Sequence, residues 1–202
     1  MKIVPISDRG SLKCRGCDSK DLVSILDLGE QPLPAEYGLH PDDVLDKFPL
    51  HLKVCQNCGL GQLGEYVLPE RIFHETYPYI SSASSYWVNH AAKFAEEMVE
   101  KLSLNKDSLV IELGGNDGYL LSQFQKLGVS VLNVEPPENT AEIARKAGVP
   151  TISKFFGVDL AKDILAEYGH PDLICVNNFF NIVNKVQLNV SCKRVSEERT
   201  GI

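Results

Sequence analysis

The chain lacks any apolar run close to the roughly 18 residues of a membrane-spanning helix, which argues against a membrane partner. Its first ten residues, MKIVPISDRG, lack the apolar stretch of a secretory signal, so we expect a cytoplasmic protein. Positive charge is also scarce: 20 Lys and Arg against 27 Asp and Glu give a net charge of −7, which argues against nucleic acid as a partner. A hydrophobic content of 44% indicates a globular protein with a core.

Six cysteines are present, and a reducing cytoplasm favours metal ligands or buried thiols over disulfides. Four of them form two Cys-x-x-Cys pairs, Cys14 with Cys17 and Cys55 with Cys58. Two such turns can converge on one Zn²⁺ in a tetrahedral thiolate shell, and four protein ligands leave no position open for water. The pairs therefore predict a structural zinc site, with four incidental core thiols as the alternative.

The two pairs are 37 residues apart, more than the roughly 15–20 of a compact zinc ribbon, so we expect an inserted loop at 34–49. Gly16 and Gly59 are expected to give the two turns their backbone freedom. Cys175 and Cys192 have no partner at ligand spacing and are interpreted as ordinary buried thiols.

Helical and extended patterns alternate after this module. From Tyr86 to Leu102 apolar residues recur at helical spacing, which predicts an amphipathic connecting helix. Short apolar strands then alternate with helices of about ten residues, which implies a parallel sheet with right-handed crossovers. The predicted strands are 108–113, 129–135, 150–155 and 172–178, and the predicted helices are 119–128, 140–148 and 159–169. The fold class is α/β, with a zinc-binding module at 1–68, a helical connector at 69–105 and a Rossmann-like domain at 106–202.

In such a sheet the ligand lies beyond the carboxyl ends of the strands, near the first strand-to-helix turn, here ELGGNDG at 112–118. A dinucleotide fingerprint requires G-x-G-x-x-G, but counting from Gly114 the third residue is Asn116 and the sixth is Tyr119. S-adenosylmethionine suits the turn better, because it has no phosphate and its cationic groups prefer carboxylates. Glu135, after the second strand, is placed to accept hydrogen bonds from ribose hydroxyls, which serves NAD equally well; a solvated surface glutamate is the alternative.

Together these motifs resemble the zinc-containing, S-adenosylmethionine-dependent C-methyltransferases of nucleotide-linked deoxysugars. The matches run in order over about residues 12–180: the two Cys-x-x-Cys pairs, LDLGEQPLP (26–34), CGLGQL (58–63), YPYISSAS (77–84), ELGGNDGYLL (112–121), VEP (134–136), GVPTISKFFG (148–157) and DLICVNN (172–178). The resemblance implies a structural zinc, a cofactor in a class I methyltransferase domain, and methylation of a sugar carbon beside a ketone during deoxysugar biosynthesis.

The resemblance also implies the site residues. The candidate cofactor-binding residues are Glu112, Gly114, Gly115, Asn116, Asp117, Gly118, Glu135, Pro136, Phe156 and Asn177. A tyrosine of the YPY stretch lies in the active site of the family, which points to Tyr77 or Tyr79. A further residue, commonly histidine, follows the fourth strand; Asn181 is the stand-in here, although an amide cannot act as a base. In this chemistry a base removes a proton next to the ketone, and donors hold the enolate oxygen.

Two family features are lacking, namely a histidine after the fourth strand and a Tyr-x-Glu-His cluster anywhere before Ile202. We therefore expect a truncated member, with an incomplete methyltransferase domain, that does not methylate a sugar by itself. The alternatives are a catalytically inactive remnant, a zinc- and cofactor-binding interaction module and, less favoured by the broken glycine fingerprint, an NAD-dependent sugar-modifying enzyme. The outer edge of the fourth strand would be unpaired, which predicts self-association through that edge.

Overall fold

The computed structural model describes residues 12–34, 36–38, 40–64, 67 and 69–177. These residues form two compact units, the first from those within 1–32 and 46–67 and the second from those within 33–45 and 68–181. The predicted connecting helix belongs to the second unit, while the predicted boundaries at 68 and 105 stay predictions. None of the helices in the described part of the chain has the combination of length and apolarity needed to cross a membrane.

The first unit contains an antiparallel sheet of three strands in the order β1-β2-β3. Its strands are β1 (Leu22–Pro32), β2 (Lys47–Cys55) and β3 (Gly61–Leu63). The inserted loop predicted at 34–49 therefore ends three residues early, at 46, because β2 begins at Lys47 and pairs with β1 from there. Most of β1 is exposed, and the few buried side chains of this unit include Cys14, Phe48, Cys55 and Gln62.

The second unit contains the parallel sheet that the sequence predicts, with four strands in the order β6-β5-β4-β7. The strands are β4 (Leu109–Leu113), β5 (Ser130–Val134), β6 (Thr151–Ile152) and β7 (Leu173–Cys175). The strand predicted at 150–155 shrinks to two residues, in part because Pro150 has no N–H to give to the ladder. Strand order reverses at β4, and the crevice at such a reversal is where α/β sheets bind ligands.

The helices of the second unit in the described part of the chain are α1 (Pro69–Ile72), α2 (Ser85–Leu102), α3 (Leu121–Lys126), α4 (Glu138–Lys146) and α5 (Val158–Tyr168). Helix α2 matches the predicted connecting helix to within one residue. It begins after Ser84, whose Oγ accepts a hydrogen bond from the Trp87 N–H at 3.3 Å, as an N-cap does. Its apolar stripe buries Ala91 and Ala95 against the core.

Both faces of the central strands are buried. Val110 and Val131 face one cluster together with Phe124 of α3, whereas Ile111 and Leu132 face the other, which also contains Leu160 of α5. This two-sided burial is what a parallel sheet requires. The polar residues that end β4 and β5 are consequently held inside the protein rather than at its surface.

Candidate functional site

The four predicted metal ligands meet in the first unit. The Sγ atoms of Cys14, Cys17, Cys55 and Cys58 all lie within 4.8 Å of one another, with 3.5 Å between Cys14 and Cys58 and 3.6 Å between Cys17 and Cys55. A tetrahedral zinc site with Zn–S bonds of 2.3 Å has sulfur–sulfur edges of about 3.8 Å. The thiolate spacing therefore fits Zn²⁺. Cys192 lies outside the described residues.

Local backbone conformation brings the thiols together. The second turn reverses at Gly59, which has a φ of +75° and donates its N–H to the Cys55 carbonyl at 2.9 Å. In the first turn the residue with a positive φ, +59°, is Asp18 and not Gly16. The prediction that Gly16 gives this turn its backbone freedom was therefore wrong. Gly16 instead leaves room for the Leu60 side chain, because a Cβ at Gly16 would lie 3.2 Å from Leu60 Cδ2.

Two polar side chains that sequence reasoning missed support this cluster. Buried Gln62 accepts a hydrogen bond from the Arg15 N–H at 2.9 Å and donates one to the Lys13 carbonyl at 3.1 Å, so it holds the first turn. Asn57 donates to Cys17 Sγ at 3.4 Å, and this bond, followed by one from the Ser19 backbone, lowers the pKa of Cys17 to about 6. The lowered pKa favours the thiolate that a metal needs.

The glycine turn after β4 is shaped by close contacts. Gly114 and Gly118 have φ values of +72° and +78°, in the left-handed region that favours glycine. At Gly115 the constraint is steric, since a Cβ would lie 2.3 Å from Asn133 Oδ1 and 2.9 Å from Glu112 Oε2. A physical reason for glycine thus exists at each of the three predicted positions.

Glu112 is fully buried at the end of β4. Its Oε1 accepts a hydrogen bond from Asn177 Nδ2 at 3.1 Å, while its Oε2 has no partner among the described residues. Burial raises the pKa of Glu112 to about 8, and the charges of Glu135 and Asp117 act in the same direction. A cationic donor at the free oxygen would favour the ionised form of this carboxyl and would lower its pKa again.

Glu135 follows β5 and is only 4% exposed, so the alternative of a solvated surface glutamate does not hold. Its Oε2 accepts from the Asn116 N–H at 3.0 Å and its Oε1 from Thr140 Oγ1 at 2.8 Å. Burial raises the pKa of this carboxyl as well. Because each carboxylate oxygen has a second lone pair, both can still accept a bond from a ligand hydroxyl.

The turn also holds the predicted tyrosine segment. Asn116 Oδ1 accepts from the Ser81 N–H at 2.8 Å, and Asn116 Nδ2 donates to the Tyr79 carbonyl at 3.0 Å. Next to it, Asp117 Oδ2 accepts from the Ser82 N–H at 3.1 Å. The structure therefore brings the backbone of the predicted catalytic stretch to the predicted cofactor turn.

The two candidate tyrosines differ in their surroundings. Tyr77 is half-buried, and its carbonyl accepts a hydrogen bond from Asn139 Nδ2 at 2.7 Å. Burial is the main cause that raises the pKa of its phenol, and the charge of Glu135 is the second. Tyr77 is therefore a proton donor at neutral pH rather than a base. The Tyr79 residue is 58% exposed. Asn181 lies outside the described residues.

The remaining predicted residues lie around the same crevice at different depths. Pro136 is half-buried directly after Glu135, and Phe156 packs against the second core cluster. Asn177 is exposed but reaches Glu112. Cys175 is buried, and burial raises the pKa of its thiol to about 12, as expected of an inert core cysteine.

Several buried acceptors in the described part of the chain have no hydrogen-bond partner: Glu112 Oε2, Asp117 Oδ1, Asn133 Oδ1 and Asn139 Oδ1. Buried polar atoms are nearly always satisfied, so such a group calls for a ligand or water. All four atoms are oxygens, and they belong to the glycine turn, the strands beside it and the start of α4. The groups left open around the turn are therefore acceptors, which a ligand that donates hydrogen bonds would satisfy.

Comparison with known proteins agrees with this arrangement. Residues 14–73, which include all four clustered cysteines, match the family described as "Putative zinc binding domain". The C-methyltransferase NovU of Streptomyces niveus is 30% identical over 164 residues, which cover 80% of this chain and 39% of that protein. The chain thus spans about two-fifths of the length of the curated relative that it matches.

Proposed function

We propose that the chain belongs, over its N-terminal and central parts, to the C-methyltransferases that carry a zinc-binding domain, and that its second unit binds S-adenosylmethionine. The proposal rests on the unpartnered acceptors around the glycine turn. An ammonium group would satisfy Glu112 Oε2, and ribose hydroxyls would bond to the remaining lone pairs of the Glu135 carboxylate. A pyrophosphate would instead meet the carboxylates of Glu112, Asp117 and Glu135, which disfavours NAD.

The zinc of the first unit is proposed to be structural. Four thiolates complete a tetrahedral shell and leave no site for a water or a substrate. A unit with so few buried side chains gains much of its stability from such an ion. We also propose a reducing compartment such as the cytoplasm, because it would keep these thiols available to the metal.

The reaction in which we propose that these residues take part, although we expect that this chain does not complete it by itself, is transfer of a methyl group to the carbon beside the ketone of a nucleotide-linked keto-deoxysugar. The bound cofactor would supply the electrophilic methyl group. Tyr77 is suited to donate a hydrogen bond to the enolate oxygen, because its raised pKa keeps the phenol protonated. We accordingly assign Tyr77 to oxygen binding and not to removal of the substrate proton.

Calorimetry tests the cofactor proposal with S-adenosylhomocysteine, S-adenosylmethionine and NAD in turn. The first two should bind and NAD should not. Glu135→Ala should weaken binding by about 1–3 kcal/mol, the loss expected for hydrogen bonds to a charged acceptor. The matched control is Glu138→Ala, which removes an exposed glutamate three residues further along. Binding of NAD alone would refute the proposal, and equal affinities for wild type and Glu135→Ala would remove Glu135 from the site.

A further inference from the structure

Asn116 is bonded through every polar group it has. Its N–H donates to Glu135 Oε2 at 3.0 Å and its carbonyl accepts from Asn133 Nδ2 at 3.2 Å. Its side chain accepts from the Ser81 N–H at 2.8 Å and donates to the Tyr79 carbonyl at 3.0 Å. Both of its nitrogens thus donate within the protein, and the two bonds lead to different parts of the site.

The backbone conformation of Asn116 makes this double connection. Its φ is +52°, in the left-handed region where asparagine is among the better tolerated residues other than glycine. The residue is 7% exposed, so solvent does not compete for these bonds. A strained conformation persists where its surroundings over-determine it, and such positions cluster at functional sites.

We propose that Asn116 is a positioning residue that fixes the tyrosine segment, 77–82, on the glycine turn and joins it to Glu135. This inference rests on the proposed function, in which Glu135 receives the ribose and Tyr77 receives the substrate oxygen. Occupancy of the cofactor site then orders the segment that carries the tyrosines. By linkage, order in that segment favours the cofactor to the same degree.

Two further bonds hold the ends of the segment, so the effect of Asn116 is local. Asp117 Oδ2 accepts from the Ser82 N–H at 3.1 Å, and Asn139 Nδ2 donates to the Tyr77 carbonyl at 2.7 Å. Loss of the Asn116 side chain should therefore release the middle of the segment without detaching it.

Amide exchange of the full chain with its zinc, followed by NMR, tests the proposal in Asn116→Gly. Glycine adopts a positive φ without strain, so the variant removes only the two side-chain bonds. The Ser81 amide should exchange at least about tenfold faster, as expected when about 1.4 kcal/mol of protection is lost. The amides of β4 should stay as in wild type. The control Asn105→Gly removes similar local bonds, to Asp107 and Ser103, in a separate loop.

Unchanged exchange at Ser81 in Asn116→Gly would overturn the positioning role outright.

Adding S-adenosylhomocysteine tests the coupling. In wild type it should slow exchange at 79–82; in Asn116→Gly that slowing should be absent, and the affinity should fall by about the factor of the slowing in wild type, as linkage requires. Lost binding with unchanged exchange would make Asn116 a cofactor ligand and overturn the proposal. If wild type does not bind at all, the proposed function and the coupling fail together. Exchange in the free protein still decides whether Asn116 holds the segment.

Discussion

At the scale of single residues, Glu112 is the group whose charge state depends most on the fold. Burial raises the pKa of this carboxyl from about 4.5 to about 8. Between these values the folded protein holds a proton that the unfolded chain releases, so the free energy of unfolding falls as pH rises. The contribution is complete below the ordinary pKa and is lost as pH rises through 8.

Glu112→Gln should remove this dependence. Between pH 6 and 8 the wild type should lose up to about 1.4 kcal/mol of unfolding free energy per pH unit more than the variant does. Urea unfolding followed by the fluorescence of Trp87 measures this, since Trp87 is the only tryptophan and packs against the core of the second unit. The exposed Glu138→Gln should keep the slope of wild type. Parallel slopes for wild type and Glu112→Gln would contradict the raised pKa.

Gly115 offers a test of steric fit in the turn. Gly115→Ala should lower the unfolding free energy by about 1–3 kcal/mol, the range for overpacking, because its Cβ would lie 2.3 Å from Asn133 Oδ1. Gly157→Ala is the matched control, since nothing lies within 4 Å of a Cβ there and its φ is extended, −161°. The same unfolding assay measures both variants. A neutral Gly115→Ala would mean that the turn is looser than the contacts indicate.

Motifs predicted the residues whose roles depend on near neighbours in sequence, such as the paired cysteines. Asn133 and Asn139 were missed, because their roles depend on contacts made across the fold. Asn133 lies beside Glu112 only through the register of β4 and β5, which the linear sequence does not give. A polar residue within the apolar stretch VLNV was the available signal for Asn133.

At the scale of elements, the helices and strands with the longest apolar patterns in the sequence were predicted most accurately. Helix α2 was predicted to within one residue, because its apolar periodicity persists from Trp87 to Leu102. Strand β1 was not predicted, since nearly all of its residues are exposed and its pairing with β2 has two register shifts, so no alternation marks it. In β6, two residues are too few to show a period of two.

The zinc cluster is the element that a single substitution should dismantle. Cys55→Ser should lower bound zinc from about one equivalent towards none, because three thiolates do not complete the shell. Cys175→Ser should keep its zinc, as Cys175 is a buried thiol of the second unit. Elemental analysis of protein purified without chelator measures both. A full equivalent of zinc in Cys55→Ser would show that the zinc is held at another site.

At the scale of the whole molecule, the two units differ in what stabilises them. The second has a core on both faces of its sheet, whereas the first has few buried side chains and four clustered thiols. Chelation should therefore speed amide exchange in β2 and β3 while β4 and β5 keep their protection. Equal loss of protection in both units would mean that they unfold together, so that zinc stabilises the whole chain.

The last prediction concerns self-association of the protein through strand β7. Among the described residues β7 pairs only with β4, and Ile174 on it is 49% exposed although parallel strands are normally buried on both faces. An apolar strand at the edge of a sheet can act as a template for a second copy. We expect sedimentation velocity to show concentration-dependent association that Ile174→Lys reduces, because a charge would be buried in the contact. Ile25→Lys, on the exposed strand β1, should leave it unchanged. The reverse result would place the contact on the first unit instead.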